Sequence, residues 1–400
     1  MYDRIPSPGK ENRVRITQDN GQIVEGVLSY ADDATQEGSA YTKGNVLPDD
    51  VCTAYGIDTE TSEPKDAFLA IPGIMGKCFL LITVKKINGA PYPGVLVNGL
   101  TGIDTPRRTT NQNGQVAVYV DAGTYNLTFT TNPVCVDTTI PRKSVTLTAG
   151  GTGSVTAQEK SNGLTSLDIT SSRSVAFSAN VRKLDVFCVG GGGAGGGKRS
   201  TGIASAGGGG GRTRTRKSVS FSAYTLYPAV IGAGAVGSYY DGSTGGETSM
   251  FGVTAKGGEG GKVMGYPDTT KKAGGNGGSG GGSSTYVNNG AYWQGNRGGS
   301  DGSDGLGPGP GKGQGTTTRA FGEPGGALYA GGGASGSNDV RGTPGGDGGG
   351  GTGGGQNDAG GDGTPNTGGG GGGVGEGPTG NLKGGNGGSG IIKLRWVNAS

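Results

Sequence analysis

Directly after the apolar run Lys183–Val189 (KLDVFCV), the stretch Gly192-Gly-Ala-Gly-Gly-Gly-Lys198 comes within one residue of a phosphate-binding loop. In such a loop, backbone amides and a lysine cradle phosphates while the next Ser or Thr ligates magnesium. Arg199 stands where that hydroxyl is needed, and Ser200–Ala206 offers no helix start, so the sequence argues against nucleotide binding. The chain holds 95 glycines in 400 residues, a density at which G-x-G-x-x-G matches arise by accident. It contains no histidine, which removes the usual base of Ser and Cys triads and the commonest metal ligand. Asp301, Asp304, Asp347, Asp358 and Asp362 could supply the carboxylate pair of a glycosidase. They sit among glycines with no apolar neighbours to raise a pKa, and read as turn residues. Cys52, Cys78, Cys135 and Cys188 are far apart, match no metal-ligand spacing, and read as isolated reduced thiols. The sequence thus predicts no enzyme, no metal and no cofactor.

The chemistry that remains is recognition. Between the glycine runs lie Lys198–Ala206, Ser238–Ser243, Lys262–Ala273, Ser283–Arg297, Thr316–Ala330 and Ser335–Thr343, each richer in polar and aromatic residues. Tyr239, Tyr240, Tyr266, Tyr286, Tyr292, Trp293, Phe321 and Tyr329 supply large, stiff contact area, and Asn288, Asn289, Gln294 and Arg297 supply adaptable hydrogen bonds. These twelve are the candidate receptor-binding residues, with Ser283–Arg297 the leading loop; the competing reading packs the aromatics between glycine threads as internal spacers. The alternation Arg212-Thr-Arg-Thr-Arg-Lys217 puts three arginines on one strand face. A solvated edge that discourages strand pairing explains it better than nucleic-acid binding.

Something must hold such loops. Of the 95 glycines, 77 fall between Gly190 and Gly390, and that stretch is bracketed by Lys183–Val189 and Ile391–Val397 (IIKLRWV). Leu184, Val186 and Cys188 alternate onto one face of the first run; Ile392, Leu394 and Trp396 share a face of the second, with Lys393 and Arg395 opposite. A disordered glycine linker has no reason to end in two segments able to pair, so the region is expected to fold as one closed domain. Glycine loses more backbone entropy on ordering than any other residue. Runs such as Gly190–Gly193, Gly207–Gly211 and Gly368–Gly373 can form an extended threefold helix like polyproline II, whose amides all point outward. Packed side by side, such helices satisfy one another's backbone groups in place of an oily core.

Hydrophobic residues make up 30% of the chain and the net charge is +3, too weak to imply nucleic acid or an anionic membrane as a partner. No stretch approaches the roughly 20 apolar residues of a membrane span, and Met1–Ile16 lacks the apolar centre of a signal peptide. The sequence divides at 1–74, 75–160 and 161–400. In the first segment Val14–Thr17 and Ile23–Leu28, joined by Asp19-Asn20-Gly21, predict a hairpin, with a loop at Ala31–Leu47 and short helices at Pro48–Tyr55 and Pro64–Leu69. In the second, strands at Phe79–Val84, Val95–Val97, Val116–Val120, Tyr125–Phe129 and Val145–Leu147 alternate with turns at Asn88-Gly89, Asn113-Gly114 and Ala122-Gly123, the spacing of a β-sandwich. The fold class expected is mainly β, ending in a glycine-rich domain of packed polyglycine II-type helices clamped by strands.

Three resemblances extend this reading. Asn88-Gly-Ala-Pro-Tyr-Pro-Gly-Val, Thr110-Asn-Gln-Asn-Gly-Gln and Val120-Asp-Ala-Gly-Thr-Tyr resemble the prealbumin-like or collagen-adhesin B-type sandwiches that act as spacers in surface proteins. Ala229-Val-Ile-Gly-Ala-Gly-Ala followed by Gly245-Gly-Glu-Thr-Ser-Met-Phe-Gly resembles the glycine-rich domains of phage tail proteins. Pro6-Ser-Pro-Gly-Lys-Glu with Ala31-Asp-Asp-Ala-Thr-Gln-Glu-Gly-Ser-Ala-Tyr-Thr-Lys-Gly-Asn-Val-Leu is similar to the virion-attachment end of phage appendage proteins, departing at Ser39, Ala40, Tyr41 and Gly44. Together they imply a bacteriophage tail-fibre or receptor-binding protein, made in the bacterial cytoplasm and carried on the virion. Residues 1–74 would dock to tail, baseplate or capsid proteins, and the glycine-rich loops would grip a host surface glycan or protein. A homotrimer is implied. The alternative is a head-fibre or decoration protein without receptor binding, and a depolymerase is the third reading.

Overall fold

The computed structural model describes residues 13–17, 21–27, 52, 76–200, 202–263, 273–287, 292–378 and 380–399. The chain divides into two compact units, residues 1–76 and 77–400. In the first, Arg13–Thr17 and Ile23–Val27 pair antiparallel, with Arg13 opposite Val27 and Thr17 opposite Ile23, the hairpin expected there. The loop at Ala31–Leu47 and the helices expected at Pro48–Tyr55 and Pro64–Leu69 lie outside the described residues, Cys52 excepted.

The second unit begins with two three-stranded sheets. In one, Cys78–Lys85 lies between Gln115–Val120, antiparallel to it, and Thr152–Gln158, parallel to it. In the other, Gly123–Thr130 lies between Leu96–Asn98 and Lys143–Leu147. Period-two alternation sends Leu80, Ile82, Val84, Val116 and Val118 into one core with Val97, Tyr125, Leu127 and Leu147 of the other sheet. Gly114, in the turn between Asn113 and Gln115, has φ +70, and a Cβ there would press on the Val84 carbonyl and the Tyr92 amide, so only glycine closes that turn. Thr152–Gln158 carries its buried residues as Val155 and Ala157, a weaker apolar signal that the sequence reading passes over.

The next element is a four-stranded antiparallel sheet in the order Ser166–Ile169, Ile391–Asn398, Val181–Val189, Thr213–Val219. The strand that opens the glycine stretch and the strand that closes it are therefore central neighbours, with Val186 opposite Leu394 and Cys188 opposite Ile392. On one face Leu184, Val186, Cys188, Ile392, Leu394 and Trp396 pack with Phe177, Met250 and Val253. Phe177 is fully buried, its ring 5.4 Å from Trp396 and 5.6 Å from Phe221. On the other face Phe187, Val189 and Ile391 pack against Ala320, Ala330, Phe321 and Tyr329. Thr213–Val219 forms one edge of the sheet, with Arg214 and Arg216 exposed along it, so the alternating cations guard a free edge.

The two β regions of this unit meet at a polar joint. Buried Asp137 accepts hydrogen bonds from the Ser178 amide (2.8 Å) and hydroxyl (2.5 Å). Glu159, 4% exposed, accepts from Thr138 Oγ1 (2.5 Å), Tyr224 Oη (2.8 Å) and the Ile87 amide (3.0 Å). Burial and the neighbouring Glu159 carboxylate push the Tyr224 hydroxyl pKa upward, so it stays a donor at neutral pH.

Beyond the sheet the chain becomes a lattice of glycine threads with a repeat of three. Along Gly190–Lys198 the amides of Gly190, Gly193 and Gly196 bond to the carbonyls of Arg212, Gly209 and Ala206. Those of Gly191, Ala194 and Gly197 bond to Gly246, Ser243 and Tyr240, and those of Gly192, Gly195 and Lys198 to Gly388, Gly385 and Leu382. Each amide points a third of a turn from the last, the geometry of a polyproline II helix. The carbonyls of the same thread accept from Gly258 and Gly261, from Gly371 and Val374, and from Ala235. This thread thus touches six others, three antiparallel through its amides and the rest through its carbonyls. A Cβ at Gly192, Gly193 or Gly195 would stand less than 3.0 Å from a carbonyl of a neighbouring thread. Backbone bonding here does the work that apolar burial does in the sheets.

Candidate functional site

The hydrogen-bond register fixes the direction of each thread, and direction decides where the loops fall. Gly190–Lys198 leaves the sheet; 206–212 returns antiparallel to it and enters the edge strand. The threads 232–238, 258–261, 279–282 and 332–336 also run outward, and 240–246, 275–278 and 296–299 run back. The described residues of the loops Lys198–Ala206, Ser238–Ser243, Ser283–Arg297 and Ser335–Thr343 consequently share the end of the lattice away from the sheet, and most of Lys262–Ala273 lies outside the described residues. Thr316–Ala330 does not: Phe321 and Tyr329 pack on Phe187 of the opening strand, at 5.9 and 5.5 Å between ring centroids. Those two candidates, both half-buried, cover the apolar second face of the opening strand.

The outer loops are tied together through Trp293, in the hairpin of Thr285–Val287 and Tyr292–Gln294. Its ring is 2% exposed, packed on Ala204, Ala206 and Tyr286, and its Nε1 donates to the Gly202 carbonyl at 3.2 Å. Its amide donates to Glu376 Oε2 at 2.9 Å, and its carbonyl accepts from the Asn338 amide at 2.8 Å. The Trp293 ring, 5.2 Å from that of half-buried Tyr286 and tilted to it, therefore lies beneath the surface and presents no contact area to a partner. Arg297 is engaged as well, bonding Asp347 Oδ1 at 2.6 Å and the Gly345 carbonyl at 3.0 Å.

Tyr292 and Gln294, on the outer side of the same strand, remain exposed. They line a cleft of about 530 Å³ with Ser337, Asn338, Asp339 and Thr343. The last four were not singled out from sequence; the polar break in the glycine run at Ser335–Thr343 was the available signal. Tyr239 and Tyr240, 38% and 57% exposed, form a second patch. Arg199 lies over the Tyr240 ring at 4.8 Å and donates to its hydroxyl, and Lys383 lies 5.4 Å from the Tyr239 ring. Tyr266, Asn288 and Asn289 lie outside the described residues.

The residues that tempt a catalytic reading are engaged in structure. Lys198 is fully buried, its Nζ donating to the Gly375 carbonyl at 2.9 Å and the Gly377 carbonyl at 3.4 Å, and burial lowers its pKa. Because the unfolded chain binds that proton more tightly, stability rises with pH from the lowered pKa towards 10.5. The wild-type Tm measured relative to Lys198→Met should therefore climb as the pH rises from the lowered pKa towards about 10.5 and flatten above; a difference that stays constant as the pH approaches 10.5 contradicts the buried ammonium. Asp301 is held below the usual carboxylate range: burial opposes this, but bonds from Thr317, the Thr318 amide and Arg319 outweigh it. At Asp304 the Lys312 ammonium and the Gly313 amide act in the same direction. A general acid requires the opposite shift. Burial pushes the Cys135 and Cys188 thiols up to about 12, so neither is a nucleophile at neutral pH. Among the described residues no group of three or more His, Cys, Asp or Glu is placed to hold a metal ion.

A scan against family models matches residues 165–397 to the glycine-rich domain family. That span is more than half of the chain, and the protein belongs to this family. A search of the curated proteins finds no match.

Proposed function

We propose that this is a virion appendage protein, a bacteriophage tail-fibre or receptor-binding protein. The outer loops of its glycine-rich domain grip a host surface molecule, the β-sandwich region serves as a spacer, and residues 1–74 dock to the particle. The observation that carries the reading is the collection, among the described residues, of four polar loops at the end of the lattice opposite the strands. The joint with the spacer lies at the other end, where Asp137 meets Ser178 just before the opening strand. Rigid scaffolds present recognition on loops held this way. Burial of Lys198 and the lowered carboxylates favour binding over catalysis. A homotrimer, assembled through the core-poor first segment, is part of the proposal.

The purified full chain should adsorb saturably to host cells, and shortening the Tyr292–Gln294 hairpin should weaken adsorption at least about tenfold. A folded chain that labels no host cell, yet is found on the particle, would instead be a head-fibre or decoration protein. Release of soluble sugar from host polysaccharide would revive the depolymerase reading.

A further inference from the structure

We infer that the cleft between Tyr292–Gln294 and the Ser337–Pro344 loop is a binding site for a neutral saccharide. This rests on the recognition reading above and assigns its ligand class.

The ring of Tyr292 is 39% exposed, enough to offer a flat apolar face while its strand stays anchored by Trp293 beneath. A pyranose has the matching surface, a patch of C–H bonds on one side and hydroxyls around the rim. Around the ring stand Gln294, Asn338, Asp339 and Thr343. Among the described residues, the side chains of Tyr292, Gln294, Asn338 and Thr343 make no hydrogen bond; Asp339 Oδ1 accepts the Arg341 amide at 3.1 Å, leaving Oδ2 open. Two amides, a carboxylate and two hydroxyls are thus unspent, a set able to donate and accept at adjacent sugar hydroxyls. Elsewhere in the lattice polar side chains are turned inward, as that of Ser335 is, its hydroxyl accepting from the Asn296 amide at 2.8 Å and donating to the Asn296 carbonyl at 3.4 Å.

The site is held before any ligand arrives. Ser337 is 3% exposed, Asn338 is fixed to Trp293 through its amide, and the Ser337 amide bonds to the Gly354 carbonyl at 3.1 Å. Preorganisation of this kind reduces the entropy lost on binding. At about 530 Å³ the cleft suits one or two sugar units.

Charge selects among ligands. None of the described residues lining the cleft is Lys or Arg, exposed Arg341 of the same loop standing outside the lining and the nearby Arg297 being bound to Asp347, and the Asp339 carboxylate repels anions. Sialylated, sulfated or phosphate-bearing polymers are therefore disfavoured. A peptide adding to the strand edge is disfavoured too, because the Trp293 carbonyl is already taken by Asn338.

The test uses the full chain on an immobilised array of neutral hexose and N-acetylhexosamine oligosaccharides beside sialylated and sulfated counterparts. The strongest neutral binder is then titrated calorimetrically against wild type, Tyr292→Ala, Tyr292→Phe and Asn338→Ala. Binding to neutral spots is expected, weakened about tenfold or more in Tyr292→Ala and Asn338→Ala, and kept within about threefold in Tyr292→Phe, since the ring rather than the hydroxyl carries the contact. Thermal unfolding of each variant guards against misfolding, and Lys143→Ala, exposed on the strand Lys143–Leu147, serves as a surface control expected to bind as wild type. Saturable adsorption to cells with no neutral glycan bound, or with binding indifferent to Tyr292→Ala, overturns the saccharide site and leaves the appendage reading standing. Tyr292-dependent sugar binding without cell adsorption does the reverse. A preference for the anionic arms overturns the charge argument and the proposal with it.

Discussion

Gly195→Ala should strongly destabilise the glycine-rich domain although it adds a single methyl group. At that position a Cβ would sit inside the van der Waals shell of the Gly372 carbonyl. The thread cannot move aside, because Ala194, Gly195 and Gly196 bond in turn to Ser243, Gly385 and Ala206 on different sides. Relieving the clash strains the bonds to these neighbours, each contributing on the order of 1 kcal/mol, and a buried amide left orphaned costs about 1–3 kcal/mol more. The expected loss of roughly 4–5 kcal/mol would lower Tm by about 10–20 °C for a domain of this size. Gly325→Ala is the matched control, since nothing lies within 4 Å of its added Cβ. Calorimetry on the two variants decides the matter: equal Tm values would mean that the threads are not packed as described.

Removal of residues 391–400 should abolish the folded domain altogether. The closing strand pairs on one side with Ser166–Ile169 and on the other with Val181–Val189. It also carries buried Ile391, Ile392, Leu394 and Trp396 into the two apolar clusters of the sheet. At about 1.5–3 kcal/mol per side chain, the loss is comparable to the whole stability of an ordinary domain. Amide hydrogen exchange across 190–390 should rise to near the unstructured rate in the truncated chain. Retained protection in those threads would show that the lattice stands without its clamp.

How much of this was readable beforehand depended on whether a residue's partner lay in its own pattern. The alternation of Leu184, Val186 and Cys188 and of Ile392, Leu394 and Trp396 announced two strands with one buried face, and the bracketing of the glycines announced their pairing. The spacing of small residues announced threads, because glycine without Cβ is the residue type that allows close backbone approach. Thread direction was hidden: outward and returning runs are equally glycine, and only the hydrogen-bond register tells Ser335–Thr343 from Thr316–Ala330. Phe321 and Tyr329 accordingly looked like Tyr292 in the sequence, yet they cover Phe187. Trp293 had a polar neighbourhood and a buried ring, since its small partners Ala204 and Ala206 lie far away in the chain. Asn338 and Asp339 entered the cleft only when two loops met.

The threefold lattice also bears on how the domain responds to temperature. Unfolding an oily core raises the heat capacity by about 0.45 cal/mol/K for each Å² of apolar surface wetted, whereas exposing polar surface lowers it by about 0.26. A domain whose interior is largely peptide groups mixes the two signs, and its calorimetric baseline step falls well below that of an ordinary globule of equal length. Its stability curve is then broad and shallow, with cold and hot limits set far apart. Such a domain would keep its shape across a wide span of temperature.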